Sequence, residues 1–363
     1  MTLWNRVERI GLVLAMALPP RVQRLLAGRP VVRDGQTLAV DVQLVLRLRQ
    51  VLRKRGAETF PIPEGREVIL ADTRLTGGRP AIGAVGELTV AGLPARLYAP
   101  SASVVEEVAQ QPSASVVEEV AQQPSRNPRS APLLLFFHGG GFMYGDLESH
   151  DPACRFLAER SGVMVLAVDY RLAPEQPFPA AYDDALAAHR WVVDHADELG
   201  ADVHRLAVGG DSAGGNLAIA VAIEAARAGL PLAHQLLIYP VTDALRETAS
   251  AEMFGRDFYL TTDFMELAAE SYVVGHDPRD PRVSPAYVDL PDGLAPAYVV
   301  TAGFDPLRDE GEAYARRMAE AGVPVELRRF PGLIHGFLCI VDAGRSSRAA
   351  NAEIAAKLKA ALA

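Results

Sequence analysis

Five short apolar runs constrain this chain more than any other feature. Residues 133–137, 163–168, 206–208, 235–239 and 297–301 are too continuously apolar to be strands with one face in water. Between several of them lie segments with helical spacing, at 182–193, 216–228 and 310–321. Strands apolar on both faces, separated by helices, require a mostly parallel sheet sandwiched between helix layers. The expected class is α/β, doubly wound. With 49% hydrophobic and 22% charged residues among 363, a large core is available and global disorder is excluded.

Three stretches fall outside that alternation. Residues 1–58 read as helices, with Val22, Leu25, Leu26, Val40, Val42, Leu44, Val45 and Leu48 opposed to arginines. Beyond Pro61 and Pro63, the short runs 68–71, 86–91 and 95–98 read as an antiparallel start to the sheet. Residues 241–294 form a long excursion between two strands and carry Phe254, Phe258, Tyr259, Phe264 and Tyr272. An aromatic insertion at the C-terminal edge of an open sheet is placed to form a lid, because ligands bind at that edge. The expected organisation is an N-terminal helical cap segment (1–58) and a catalytic domain (59–363), with a lid at about 241–294. A twelve-residue sequence at 101–112 recurs letter for letter at 113–124. Two copies cannot stack into a solenoid, so this is a duplicated loop with no assigned role.

A net charge of −9 argues against nucleic acid as a partner. Cys154 and Cys339 are too few for a disulfide framework, and neither lies in a zinc-ligand spacing. No stretch approaches the roughly 18 apolar residues of a membrane span. Residues 10–18 follow Arg6 and Arg9 and end near an Ala15-x-Ala17 pattern, which makes a weak signal-like N-terminus. Pro19-Pro20 and the helical pattern resuming at 21–26 favour an amphipathic helix that either faces a membrane as a peripheral contact or forms the cap. The expected location is cytoplasmic.

The chemistry is concentrated in glycine-rich turns. Gly210-Asp211-Ser212-Ala213-Gly214 follows a strand and opens a helix, the context a nucleophile elbow demands. Glycines two residues either side of Ser212 permit the sharp turn that pushes its hydroxyl out at the sheet edge, at the positive end of a helix. His138-Gly139-Gly140-Gly141-Phe142 follows another buried strand, and three glycines leave peptide N–H groups free to stabilise an oxyanion. The Lys-Ser/Thr and the GxGxxG spacing of phosphate-binding loops are absent. Of eight histidines, His335, between Gly332 and Phe337, lies on a glycine-bordered loop that can reach the sheet edge. His234 and His276 are placed as core or surface residues. Asp305 follows the run 297–301, with Asp309 and Glu310 as rival acids.

The set HGGGF, DYRLAPE (169–175), GDSAGGN (210–216), DPLRDEG (305–311) and HGF (335–337) resembles the hormone-sensitive-lipase-like carboxylesterases, bacterial esterase family IV, in the GDSAG subgroup. The resemblance covers about 130–340. It implies an α/β-hydrolase fold and a helical cap completed by part of 241–294. It assigns Ser212 as nucleophile, Asp305 as acid and His335 as base, with the N–H groups of Gly140, Gly141 and Ala213 as oxyanion donors. His138 would orient the glycine loop. Phe142, Phe254, Phe258 and Phe337 are the expected pocket residues. Two features depart from the family: the loop 101–131 is longer than usual, and Gln176 stands where many relatives have histidine.

The implied reaction is hydrolysis of short- to medium-chain esters through an acyl-enzyme, with a small-molecule ester as partner and no metal or cofactor. An arylacetamide or carbamate hydrolase on the same triad is the nearest rival. A receptor that has lost the histidine is the rival from another class, and here all three residues are present. The run 325–330 is placed to pair across a homodimer.

Overall fold

The computed structural model describes residues 3–101 and 130–363, with side chains from residue 8 onward. The duplicated sequence therefore lies outside the described residues, apart from Ser101. The buried runs form the centre of an eight-stranded sheet. Its strands are β3 (Ala84–Val90), β4 (Leu93–Ala99), β5 (Ala131–Phe137), β6 (Met164–Val168), β7 (Ala201–Asp211), β8 (His234–Ile238), β9 (Ala297–Phe304) and β10 (Val325–Ile334). A two-stranded hairpin, β1 (Val32–Arg33) and β2 (Gln36–Thr37), precedes them. The sheet order is β10-β9-β8-β7-β5-β6-β4-β3. The β3–β4 and β4–β6 pairs are antiparallel and all the others parallel, as the texture of 86–98 implied.

Continuous apolarity is explained by helices on both faces. Every residue of β6, β8 and β9 is buried, against two separate apolar clusters on the two sides of the sheet. The covering helices include α5 (Leu147–Ser161), α6 (Ala180–Asp194), α7 (Ala213–Ala228), α10 (Arg308–Glu320) and α11 (Arg345–Ala361). Helix α5 begins with a capping box between Asp146 and Ser149 and ends at Gly162, whose φ of 73° is the left-handed conformation of a helix C-terminus.

The N-terminal helical segment continues past residue 58. Helices α1 (Leu3–Ala17), α2 (Pro20–Ala27) and α3 (Val40–Val51) are followed by α4 (Ile62–Gly77), so the expected strand at 68–71 is helical. The inward stripe of α4 is Gly65, Ile69, Thr73 and Gly77, spaced by four. Two glycines and a threonine on that stripe conceal its helical period from a hydrophobicity reading. Pro63 in the first turn and Gly78 just past the end are the punctuation that identifies it.

Parallel strands all end at one edge, and that brings the motifs together. β5 runs into His138, β7 into Ser212, β9 into Asp305 and β10 into His335. The register aligns Phe137 with Gly210, and Phe304 with Ile334. The excursion after β8 contains α8 (Ala249–Phe254) and α9 (Thr262–Tyr272). It is tied to the N-terminal segment by Thr261 Oγ1, which donates to Glu58 Oε1 at 2.9 Å. At the far edge of the sheet, β10 pairs only with β9 among the described residues.

Candidate active site

Ser212 sits at the turn between β7 and α7 with φ 57° and ψ −117°, a region that costs a non-glycine residue about 1–3 kcal/mol. Tight packing holds it there: a Cβ on Gly214 would collide with the Phe137 carbonyl oxygen, so only glycine lets α7 approach β5 this closely. The strain aims Ser212 Oγ at His335, whose Nε2 lies 2.9 Å away. On the other side of the ring, His335 Nδ1 lies 2.8 Å from Asp305 Oδ2. Asp305 is fully buried, and its second oxygen accepts the Leu307 N–H at 2.9 Å.

The rival acids are occupied elsewhere. Asp309 accepts from Ser250 N at 2.9 Å and from Arg308 Nε at 2.8 Å, clamping α8 to α10. Glu310 accepts the N–H groups of Thr242 and Asp243. Burial pushes its carboxyl up to about 8, against the pull of those two donors. His234 is buried at the start of β8, paired with Ala207 at the opposite end of the strand from Asp211, and His276 lies after α9 against Phe178.

Gly140 (φ 126°) and Gly141 (φ 63°) adopt conformations that L side chains rarely reach, and a Cβ on Gly140 would strike the Tyr144 carbonyl. Their N–H groups make no hydrogen bond among the described residues. Ala213 is the first residue of α7, where an N–H has no intrahelical acceptor. Ser212, Gly140, Gly141 and His335 line one cavity of about 100 Å³. His138 stacks on Tyr170 with ring centroids 4.3 Å apart, and its Nδ1 is 2.9 Å from Gly139 O. Burial, with a contribution from His150, lowers its imidazole to about 4. It is a neutral structural element of the loop.

One contact has no counterpart in the sequence reading. Asp211, next to the serine and buried, accepts the Gly139 N–H at 2.8 Å and so joins the elbow to the glycine loop. Its Oδ1 also lies 3.2 Å from Nε2 of the buried His150. Burial disfavours charge on both side chains, yet Cys339 and Asp211 hold His150 above its ordinary range, and His150 with the Gly139 N–H holds Asp211 below. Residues 150 and 211 are too far apart in the chain for any spacing rule to connect them.

A family model for the α/β hydrolase fold matches residues 134–339. LipN, a carboxylic ester hydrolase of Mycobacterium tuberculosis, is 38% identical across 99% of this chain and 94% of its own length. The chain is a hormone-sensitive-lipase-like α/β-hydrolase. The hydrolase is also similar to an ethyl acetate hydrolase of Pseudomonas putida, 46% identical over 59% of this chain and 70% of that one. Among solved structures, an ester hydrolase from the Lake Arreo metagenome, bound to a bipyridine phosphonate derivative, superposes with a TM-score of 0.79. It is 38% identical, and the match covers 89% of this chain and 98% of that one.

The pocket aromatics of this hydrolase differ from those expected. Phe142 does line an apolar cavity of about 60 Å³ beside Ser212, with its ring stacked on Tyr272 at 3.9 Å between centroids. Among the described residues, Phe254, Phe258 and Phe337 are not in the lining of the two cavities that Ser212 borders. Phe254 and Phe258 pack on Phe304 in the apolar cluster of the sheet, and Phe337 packs edge-on against Tyr239 and Phe330. Phe264, Ala268 and Tyr272 replace them, on one face of α9. Their spacing of four was the available signal. A larger cleft of about 440 Å³ adjoins the Ser212 cavity, shares His335, Gly336 and Tyr259 with it, and is lined by Leu12 of α1, Leu48 of α3, Leu52 just beyond it and Thr76 of α4.

Proposed function

We propose that this serine carboxylesterase works through an acyl-enzyme on Ser212, and that it prefers esters of short- to medium-chain acids. The chain of contacts Asp305–His335–Ser212, at 2.8 and 2.9 Å, carries the reading. His335 Nε2 takes the Ser212 proton as Oγ attacks the ester carbonyl, and the buried Asp305 carboxylate stabilises the imidazolium that forms. The N–H groups of Gly140, Gly141 and Ala213 receive the oxyanion. The proton then passes to the departing alkoxide, and a water activated by the same histidine hydrolyses the acyl-enzyme. The acyl chain occupies the small cavity under Phe142 and Phe264, and the alcohol part lies toward the larger cleft. A fluorophosphonate should add one covalent label to the parent and none to Ser212→Ala. Labelling that survives the substitution refutes the assignment. A series of p-nitrophenyl esters should peak at short or medium acyl length, whereas a steady rise through long-chain emulsions contradicts the pocket.

For the cap we propose peripheral contact with an anionic bilayer. Leu14 and Leu25, 63% and 82% exposed, stand out on α1 and α2, and Val51 and Leu52 are exposed at the end of α3. Residues 1–58 carry eleven Lys or Arg and four Asp or Glu in a chain of net charge −9. Exposed apolar side chains on a segment with an excess of basic residues match an anionic lipid interface, and Leu52 also borders the cleft leading to His335. Among the described residues no helix is long and apolar enough to cross a membrane. Sedimentation with vesicles containing phosphatidylglycerol should retain the parent at low salt and release Leu14→Asp/Leu25→Asp. Equal retention of parent and double variant, or none of the parent, refutes the contact.

A further inference from the structure

We propose that His150, Asp211 and Cys339 form a binding site for a thiophilic divalent cation, Zn²⁺ above all, and that its occupancy inhibits the hydrolase. The three side chains come from α5, the end of β7 and the turn after β10, and their ligand atoms all lie within 4.8 Å of one another. Ligand atoms about 2.0–2.3 Å from a tetrahedral zinc lie roughly 3.3–3.8 Å apart. The His150–Asp211 contact of 3.2 Å is close to such an edge, so small side-chain rotations complete the set. A sulfur, an imidazole nitrogen and one carboxylate select zinc or cadmium over magnesium and calcium, which prefer all-oxygen sites.

Hydrogen bonding fixes the histidine in the ligating orientation. Ser149 Oγ donates its only proton to the Asp146 carbonyl at 2.9 Å, so it accepts from His150 Nδ1, 3.0 Å away. The Nδ1 proton is therefore committed, and Nε2 directs its lone pair at the Asp211 carboxylate. Two acceptors at 3.2 Å require a cation between them. Without metal that cation is a proton on Nε2. A metal ion would replace it, releasing that proton and the proton of the Cys339 thiol to solvent. An imidazole whose second nitrogen donates to a fixed acceptor is the usual arrangement of a metal-bound histidine.

Access and consequence follow from position. His150 and Asp211 are buried, but with the half-buried Cys339 they line the cavity that holds Ser212 and His335. The ion thus enters by the substrate's route, and its open coordination position faces that cavity. Asp211 Oδ1 is also the acceptor that holds Gly139. Drawing that oxygen to a metal loosens the glycine loop, and the ion itself occupies part of the cavity that Ser212 and His335 line. Both effects lower turnover.

The test uses the chelator-stripped enzyme. Cadmium should produce the ultraviolet thiolate-to-metal absorption band in the parent and not in Cys339→Ala, a readout independent of ester hydrolysis. Zinc should inhibit hydrolysis of p-nitrophenyl butyrate reversibly, with EDTA restoring the rate. Inhibition, measured against each variant's own metal-free rate, should need at least about 10-fold more zinc in Cys339→Ala, as loss of a ligand matches or exceeds loss of an outer-shell partner. Cys339→Ser, nearly identical in shape, serves the same purpose if the alanine variant does not fold. A missing cadmium band in the parent, or a band that survives both substitutions, overturns the site. Equal zinc sensitivity of parent and variant places the inhibitory ion elsewhere. Binding with unchanged turnover removes the inhibitory role. The cadmium band also separates this proposal from the ester-hydrolysis reading, since either can fail alone.

Discussion

Replacing Asp305 with asparagine should disable His335 by reversing its tautomer, and the hydrogen bonds around the carboxylate show why. One oxygen of Asp305 is held by the Leu307 N–H at 2.9 Å, and the other faces His335 Nδ1 at 2.8 Å. An asparagine must present its oxygen to the Leu307 donor, so its NH₂ group is turned toward His335. Nδ1 then has to accept, and the ring's proton moves to Nε2, where it points at Ser212 Oγ. The base is lost while the fold is kept. Tautomer reversal of this kind costs about 10⁴ in turnover in serine proteases, equivalent to about 5 kcal/mol of barrier. Asp309→Asn is the control: it retains one of its two hydrogen bonds, and Arg308 still pairs with Asp34 at 2.9 Å. That substitution should cost about 1 kcal/mol of stability and less than tenfold in turnover. The assay is kcat/KM for p-nitrophenyl butyrate at one pH, after circular dichroism and Tm have shown both variants folded. If Asp305→Asn stays within tenfold of the parent, or if Asp309→Asn is the more damaging, the tautomer argument is wrong.

Three further outcomes follow from the same contacts. Phe264→Ala opens the small cavity beside Ser212, so the preferred acyl chain should lengthen, each newly buried CH₂ adding about 0.8 kcal/mol, or about fourfold in kcat/KM; an unchanged profile across the ester series places the acyl chain elsewhere. Glu310, pushed up to about 8 by burial, keeps a proton in the folded state that the unfolded chain releases near 4.5, so its contribution falls as pH rises from about 4.5 to 8. The Tm of the parent should therefore decline relative to Glu310→Gln across that window, and a constant difference contradicts the assignment. Asp211→Ala strands the Gly139 N–H and leaves His150 without its carboxylate, which should cost about 3–5 kcal/mol in chemical denaturation as well as lowering turnover; a loss under 1 kcal/mol shows that the pair is not structurally needed.

The sequence by itself determined the sheet and the reacting residues, because both depend on local pattern. A run such as 133–137, apolar at every position, can only be a strand covered on both faces. Glycines around Ser212 and at 139–141 are where a side chain would collide, and such collisions are dictated by the nearest turns. Order along the chain placed an acid and a histidine after later strands, and parallel pairing delivers every strand end to one edge. Local pattern leaves the choice among Asp305, Asp309 and Glu310 open, since the two rivals lie only about one helical turn beyond Asp305. Only the tertiary structure decided it, by engaging Asp309 with Ser250 and Glu310 with the Thr242 backbone. It likewise decided which aromatics line the small cavity beside Ser212. Phe254 and Phe264 are equally apolar, and what separates them is the side of the chain on which Phe304 lies. Residues 68–71 look like a strand in the sequence because glycines and a threonine form the buried stripe of helix α4, a choice imposed by close packing against α5 and Tyr144. The His150–Asp211–Cys339 cluster was invisible for the same reason. Its members are joined by the folded path of three separate elements, and no rule of sequence spacing spans that path.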